Sequence, residues 1–269
     1  MPKSRRHSGF PFACAAGTIA VAAVLGCAGC ASQRPAAGPA PTPGEVYQSL
    51  LGQNPGLTSM RAVVEAHFSF AGHEVSLPGV LRLEKFGGFR LDLLDPLDRP
   101  LAILFAEGGR IVHYRPGPAL AASLGVFPEG CRGVDPADWV SAILASSVVP
   151  VAGESLADRN IWGSGHVLEL HRGSQLHQSI HYVNEAGRSI PRQISWYCDD
   201  DPVLQVQLRE WVQGPTWRLP SHFDIRFPKV GLAMDLELRE IEGNPPASNQ
   251  PLRPQLGTDI RWTTWNIPQ

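Results

Sequence analysis

The chain has 269 residues, with 23 Lys plus Arg against 25 Asp plus Glu and a formal net charge of -2. That balance excludes the clustered cations a nucleic-acid binder needs, and a hydrophobic content of 43% excludes disorder throughout. Only 18% of residues are charged while Gly numbers 27 and Pro 25, which suits many short strands and turns better than long surface helices.

Lys3, Arg5, Arg6 and His7 form a basic start, followed by an uncharged stretch over residues 10–26 that ends in small residues. This is the pattern of a secretory signal, with an apolar core too short for a membrane helix of ~20 residues. The five cysteines fall unevenly: Cys14, Cys27 and Cys30 lie near this stretch, Cys131 and Cys198 far beyond it. Val24-Leu25-Gly26-Cys27 resembles a bacterial lipobox, which makes Cys27 the lipidated first residue of the mature chain. Cys30 is the rival site, but it would put Cys27 where an aliphatic residue is expected. The plain alternative is an ordinary cleaved signal. His7-Ser8-Gly9 after Arg5-Arg6 lacks the bulky apolar residues of a twin-arginine signal. Residue 28 is Ala and not Asp, which by likeness to proteobacterial sorting rules favours the outer membrane. The Pro-, Ala- and Gly-rich run over residues 31–44 cannot bury enough apolar surface to fold. Residues 1–26 therefore read as signal peptide and 27–59 as lipidated Cys plus tether.

From Met60 the period is two. Met60, Ala62, Val64, Ala66, Phe68 and Phe70 share one face, and Arg61, Glu65, His67 and Ser69 take the other, as in a strand. Apolar runs follow at 81–83, 89–93, 101–105 and 111–114, with Gly87-Gly88 and Gly108-Gly109 as hairpin turns. Antiparallel strands are thus expected from Met60 to Arg115. Residues 118–126 are compatible with a short helix. Asp135-Pro136-Ala137-Asp138 starts a second one, with an N-cap Asp and Pro at N1, and Trp139, Val140, Ile143 and Leu144 continue it at helical spacing. Strands resume at 167–171, 176–183, 190–198, 203–211, 223–227 and 232–241.

The expected fold is mainly β: a single curved antiparallel sheet of about eleven strands forming an unclosed half-barrel, capped by one or two short helices. Twist accumulates across so wide a sheet and curls it with the apolar face inward. Two helices are too few to fill that interior. The inward phase of the alternation places Val64, Phe68, Phe70, Leu83, Leu91, Leu93, Ile103, Phe105, Ile194, Trp196, Val206, Leu208, Ile225, Phe227, Met234 and Leu236 around a cavity suited to an alkyl chain. A closed sandwich whose apolar faces bury one another, with no ligand, fits the same pattern.

Catalytic signatures are missing: there is no HExxH, Walker loop, GxSxG or GxGxxG, and no cysteine spacing of a zinc module. The chain therefore does not read as an enzyme, and no metal is expected. His177 and His181 would share a strand face, but exposed strand histidines are commoner than metal ligands. Asp199-Asp200-Asp201-Pro202 is ordinary turn chemistry rather than a calcium loop. Cys131 and Cys198 are a candidate pair in an oxidising compartment. The tryptophans concentrate in the C-terminal half, with core packing as their default role and membrane-interface seating an option for Trp262 and Trp265.

Phe89-Arg90-Leu91-Asp92-Leu93-Leu94-Asp95-Pro96-Leu97, a strand ending in a Pro-Leu turn before another apolar strand, resembles the LolB family of outer-membrane lipoprotein receptors, within the LolA/LolB localisation superfamily. The order of parts agrees: lipobox, tether, hairpins, a helix around Asp138-Trp139-Val140, then more hairpins. Leu219-Pro220 to Phe227 followed by 232–241 is similar to the family's closing strands. The likeness covers 60–243, and 244–269 is a tail without counterpart. It implies a half-barrel that holds lipoprotein acyl chains, accepts them from a periplasmic LolA-like carrier and inserts them into the outer membrane. It further implies a monomer facing the periplasm, with a covalent lipid on Cys27, palmitate included, in place of any cofactor. The family's insertion residue corresponds to Leu97. The sequence departs from the family pattern at Asp98 and Arg99, where charge follows the loop tip. A lipid-binding or structural lipoprotein of the same fold, without insertion, is the alternative.

Overall fold

Thr42-Pro43-Gly44-Glu45 opens the ordered fold. In the computed structural model the described residues are 41–85, 87–107, 110–117, 120–124, 140, 154–160, 165–246, 251–256 and 260–265. The Thr42 side chain accepts a hydrogen bond from the Glu45 amide, while the Glu45 carboxylate accepts one from the Thr42 amide at 2.7 Å. This reciprocal capping box, with Pro43 at the first helical position, starts helix α1 (Pro43–Leu51). Val46 and Leu50 are buried on its inner face. The tether reading of 27–59 is thereby shortened, since its second half folds. Pro and Gly dominated that reading, yet Pro at N1 suits a helix start. The signal peptide, Cys14, Cys27, Cys30 and Cys131 lie outside the described residues. So does the helix expected from Asp135, apart from Val140, which is helical and fully buried.

Apart from a 3-10 turn at Pro228–Val230, the remaining described elements are strands: β1 (Ser59–Phe70), β2 (His73–Glu84), β3 (Gly88–Leu94), β4 (Pro100–Glu107), β5 (Arg110–Arg115), β6 (Leu120–Leu124), β7 (Glu154–Asn160), β8 (Gly165–Arg172), β9 (Gln175–Glu185), β10 (Arg188–Cys198), β11 (Asp201–Gln213), β12 (Arg218–Phe227), β13 (Leu232–Gly243) and β14 (Arg261–Trp265). Two hairpins are set by backbone only a tight turn uses: Ala71 and Gly72 (φ 50° and 79°) join β1 to β2, and Ala186 and Gly187 (φ 49° and 79°) join β9 to β10. All strands belong to one 14-stranded sheet in the order β14-β6-β5-β4-β3-β2-β1-β13-β12-β11-β10-β9-β8-β7. Every pairing is antiparallel except β14 with β6. The end strands do not pair with each other, so the sheet is an unclosed half-barrel. Central strands β1 and β13 join an N-terminal half to a C-terminal half.

Three strands replace other expectations. Residues 120–124, within the segment read as helical, form β6, because Ala121 and Ala122 are taken up in a ladder with Tyr114 and His113. Pairing overrides the helix propensity of Ala and Leu. β7 and β14 extend the sheet beyond the expected eleven at either edge.

The apolar core is one continuous cluster on the inner face, from Leu81 and Leu91 across Val64 and Leu236 to Ile194 and Leu168. A smaller cluster of Ile103, Phe105, Val112 and Ala121 lies on the outer face, where Leu256 and Ile260 of the C-terminal segment cover it. The same segment covers a buried ion cluster. Asp92 accepts from Arg82 at 2.6 Å and from Arg90 at 2.7–2.9 Å, and Arg90 also donates to the Pro251 carbonyl at 2.9 Å. Mutual pairing is what allows these charges to be buried at all. The tail of 244–269 is thus structural where described: Pro251, Leu256 and Ile260 lie against the outer face of strands β3–β6, and β14 extends the sheet beside β6.

Candidate functional site

Alternation along β1–β5 and β12–β13 turns one apolar row after another to the inside. Leu91 stands opposite Leu81 and Leu104, and Phe68 opposite Met234, itself opposite Ile225. These rows do not meet across the curve of the sheet. They leave a hollow of about 620 Å³. Of the residues expected around a cavity, Phe68, Phe70, Leu83, Leu91, Leu93, Ile225, Phe227, Met234 and Leu236 border it. Leu77, Leu81, Phe89, Ala102, Leu104, Ile111, Phe223 and Leu232 do so as well, without having been singled out. Most are cross-strand partners of residues that were, so pairing register was the signal that would have found them.

The other expected residues lie elsewhere. Val64, Ile194, Trp196, Val206 and Leu208 share the inner face but are packed solid, each at 2% exposure or less. In that half α1 lies against β7, β8 and β10. Gln53 donates to the Ser189 carbonyl, and the Asn54 side chain bonds both the amide and the carbonyl of Arg218. The Trp217 ring fills the end of the barrel so closely that a Cβ on Gly243 would stand 2.2 Å from it. Ile103 and Phe105 are a correction. Both point to the outer face, while Ala102 and Leu104 line the hollow. Strand β4 is apolar on both sides because the C-terminal segment buries its outer face, so alternation alone could not phase it.

The hollow opens away from α1, at the end where β1 and β3 finish. Val75, Leu97 and Leu101 are exposed there, at 51%, 70% and 44%. Leu97 sits on a pinned turn. The Asp95 carboxylate accepts from the amides of Leu97 (2.8 Å) and Arg99 (3.0 Å) and from Arg99 Nε (2.8 Å), and the Asp95 amide donates to the Arg99 carbonyl at 2.9 Å. Those bonds from Arg99 hold the Asp95 carboxyl below its usual range. Asp98 takes the left-handed conformation (φ 58°) that closes the loop. An apolar side chain is therefore presented to solvent by a turn with little freedom to fold back.

Polar groups at the hollow are few: His73, Glu74, His113 and Arg115. His113 and Arg115 are two apart on β5 and so face the same way. Burial, and then the neighbouring Arg115 charge, push the His113 pKa down. Away from the hollow, His177 and His181 share the outer face of β9, and burial lowers both. Among the described residues no group of three or more His, Cys, Asp or Glu could hold a metal ion. Cys198 is disulfide-bonded, with its partner outside the described residues. No described helix is long and apolar enough to cross a membrane.

Neither a protein-family profile nor a curated protein matches the chain. Solved structures do. An outer membrane lipoprotein-sorting protein domain from Vibrio parahaemolyticus aligns at TM-score 0.51 and 12% identity, over 76% of this chain and 93% of that one. A DUF1329 family protein from Desulfovibrio piger aligns at TM-score 0.50 and 10% identity, over 78% and 94%. A LolA superfamily protein from Nitrosomonas europaea follows at 0.48 and 12%, over 77% and 96%. At such identities the first two likenesses show the fold: this chain has the half-barrel of the lipoprotein-sorting domain.

Proposed function

We propose that the chain is a lipid-anchored outer-membrane lipoprotein that holds acyl chains of lipoproteins in its hollow and helps to insert them into the bilayer, as LolB does. One observation carries the reading: an apolar hollow of about 620 Å³ opens on the side where a pinned turn exposes Leu97. The mechanism needs no nucleotide. Burial contributes ~0.8 kcal/mol per methylene, so a chain enters a dry groove spontaneously and moves on wherever affinity is higher. A LolA-like carrier supplies the cargo, the half-barrel receives it and the bilayer takes it. Anchoring through a lipidated Cys27 raises the receiver's effective concentration at its destination. Leu97 is the residue that enters the membrane surface. Arg99 is drawn back onto Asp95 at 2.7 Å, so its charge is already partnered when the tip meets lipid.

The test is Leu97→Glu. Acyl-probe binding is expected to be unchanged, while transfer of a lipoprotein from its carrier to liposomes slows at least tenfold. Undiminished transfer removes the insertion role. A second reading, lipid binding without insertion, is favoured by Asp98 next to the tip, whose carboxylate has no cationic partner among the described residues and opposes entry into lipid. Lipid retained by the purified protein, with no cargo accepted from a carrier, selects that reading.

A further inference from the structure

The polar groups at the hollow are not spread evenly. On the β5 side stand His113 and Arg115, and across from them, at the β1–β2 turn, stand His73 and Glu74. His113 faces Leu104 on one side and Ala122 on the other, so its strand neighbours on that face are apolar. Arg115, one inward-facing position nearer the strand end, is solvent-exposed and has no carboxylate partner among the described residues. An apolar hollow thus ends in a cation that a described acidic side chain does not neutralise. Volume adds a second constraint. A methylene group is close in size to a water molecule, which occupies about 30 Å³ in the liquid, and at that size a sixteen-carbon chain needs roughly 480 Å³. The hollow, at about 620 Å³, has room for one such chain.

We propose that the hollow takes one acyl chain at a time and that its preferred occupant is a single-chain anionic amphiphile whose head is held by Arg115, with His113 beside it. A guanidinium gives a carboxylate or a phosphate oxygen paired, charge-assisted hydrogen bonds. An uncharged head forgoes them and leaves Arg115 in water. Glu74 on the opposite rim repels an anion and confines the head to the β5 side. The inference rests on the acyl-binding reading above and adds to it a head-group preference and a stoichiometry.

The experiment titrates the full-length chain with cis-parinaric acid and with its methyl ester, which share one chain and differ in charge. The acid is expected to bind about tenfold more tightly, the size of one hydrogen-bonded charge interaction. Arg115→Ala should erase that difference between acid and ester, and Arg115→Lys should restore most of it. Competition with palmitate and with lysophosphatidic acid tells whether carboxylate or phosphate is the better head, and displacement by neither overturns the proposal. Equal binding of acid and ester by the native chain overturns the head-group assignment while leaving acyl binding intact. Binding of neither defeats the acyl-binding reading itself, and this proposal with it. Native mass spectrometry should show one acid per chain, and two or more bound would overturn the single-chain limit.

Discussion

The inner face of strands β7–β11 and that of strands β2–β5 are both mainly apolar, yet one is solid and the other hollow. In the solid half Trp196 and Tyr182 are the largest fully buried side chains, and α1 adds Val46 and Leu50 from above. The hollow half is lined instead by a row of leucines with Ala102 and Ile111, and by phenylalanines such as Phe68 and Phe89 that stand around the space without closing it. On its outer face Ile103, Phe105 and the Arg82–Asp92–Arg90 cluster lie under the C-terminal segment. The two halves also differ in where their covering elements sit. A short N-terminal helix fills one half from inside, and a C-terminal segment braces the other from outside.

The strongest way to break this comparison is to delete the same volume from each half. Leu170→Ala, in the solid half, is expected to cost near the top of the ~2–5 kcal/mol range for a buried leucine. Leu91→Ala, on the wall of the hollow, is expected near the bottom, because that side chain already lacks partners on one side. Urea unfolding of both variants measures the gap, and equal costs would mean that the hollow is filled in solution. Adding volume gives a smaller effect and a functional readout. Leu208→Trp overpacks the solid half and should destabilise by about 1–3 kcal/mol. Leu104→Trp enters free space, should leave the unfolding midpoint within about 1 kcal/mol, and should abolish acyl-probe binding. Retained binding in Leu104→Trp would move the ligand out of this hollow.

Much of this was legible in the residues, for a physical reason that also sets its limit. The first five strands could be read because β1 alternates strictly, with Ala62, Val64 and Ala66 buried and Arg61, Val63 and Glu65 partly exposed. Where both faces are covered that signal disappears. Strand β3 is buried at almost every position, and the alternation of β4 puts Ile103 and Phe105 inward because nothing local announces that Leu256 and Ile260 shelter its outer face. α1 was hidden by the opposite error, since the capping box of Thr42 and Glu45 was present but Pro-rich composition outweighed it. The distinction between wall and core among the inward residues was not legible at all. Phe68 and Trp196 have the same pattern around them, yet one borders the hollow and the other is fully buried, a difference set by packing across the fold and not by the local alternation.

The finest probe of the two halves is pH. Burial favours neutral imidazole in His113 beside the hollow and in His177 and His181 on β9, so all three lie below the ordinary histidine value of 6.5 when folded. Arg115 pushes His113 the same way, and Arg172 does so for His177. As pH falls, the unfolded chain takes up these protons first. Their contribution to stability is therefore complete above 6.5 and is lost as pH drops through the folded values. The thermal midpoint should be level down to about pH 7 and decline towards about pH 5, and a level profile across that window would refute the assignment. His177→Gln should flatten part of the decline whether or not the hollow is occupied. His113 should behave differently, because a neutral acyl ester filling the hollow displaces the water that could hydrate a charged imidazole. Saturating ester should steepen the decline in the native chain and in His177→Gln, and leave His113→Gln unaffected. If ester steepens the profile of His113→Gln as well, the occupied space is not the one bounded by β5.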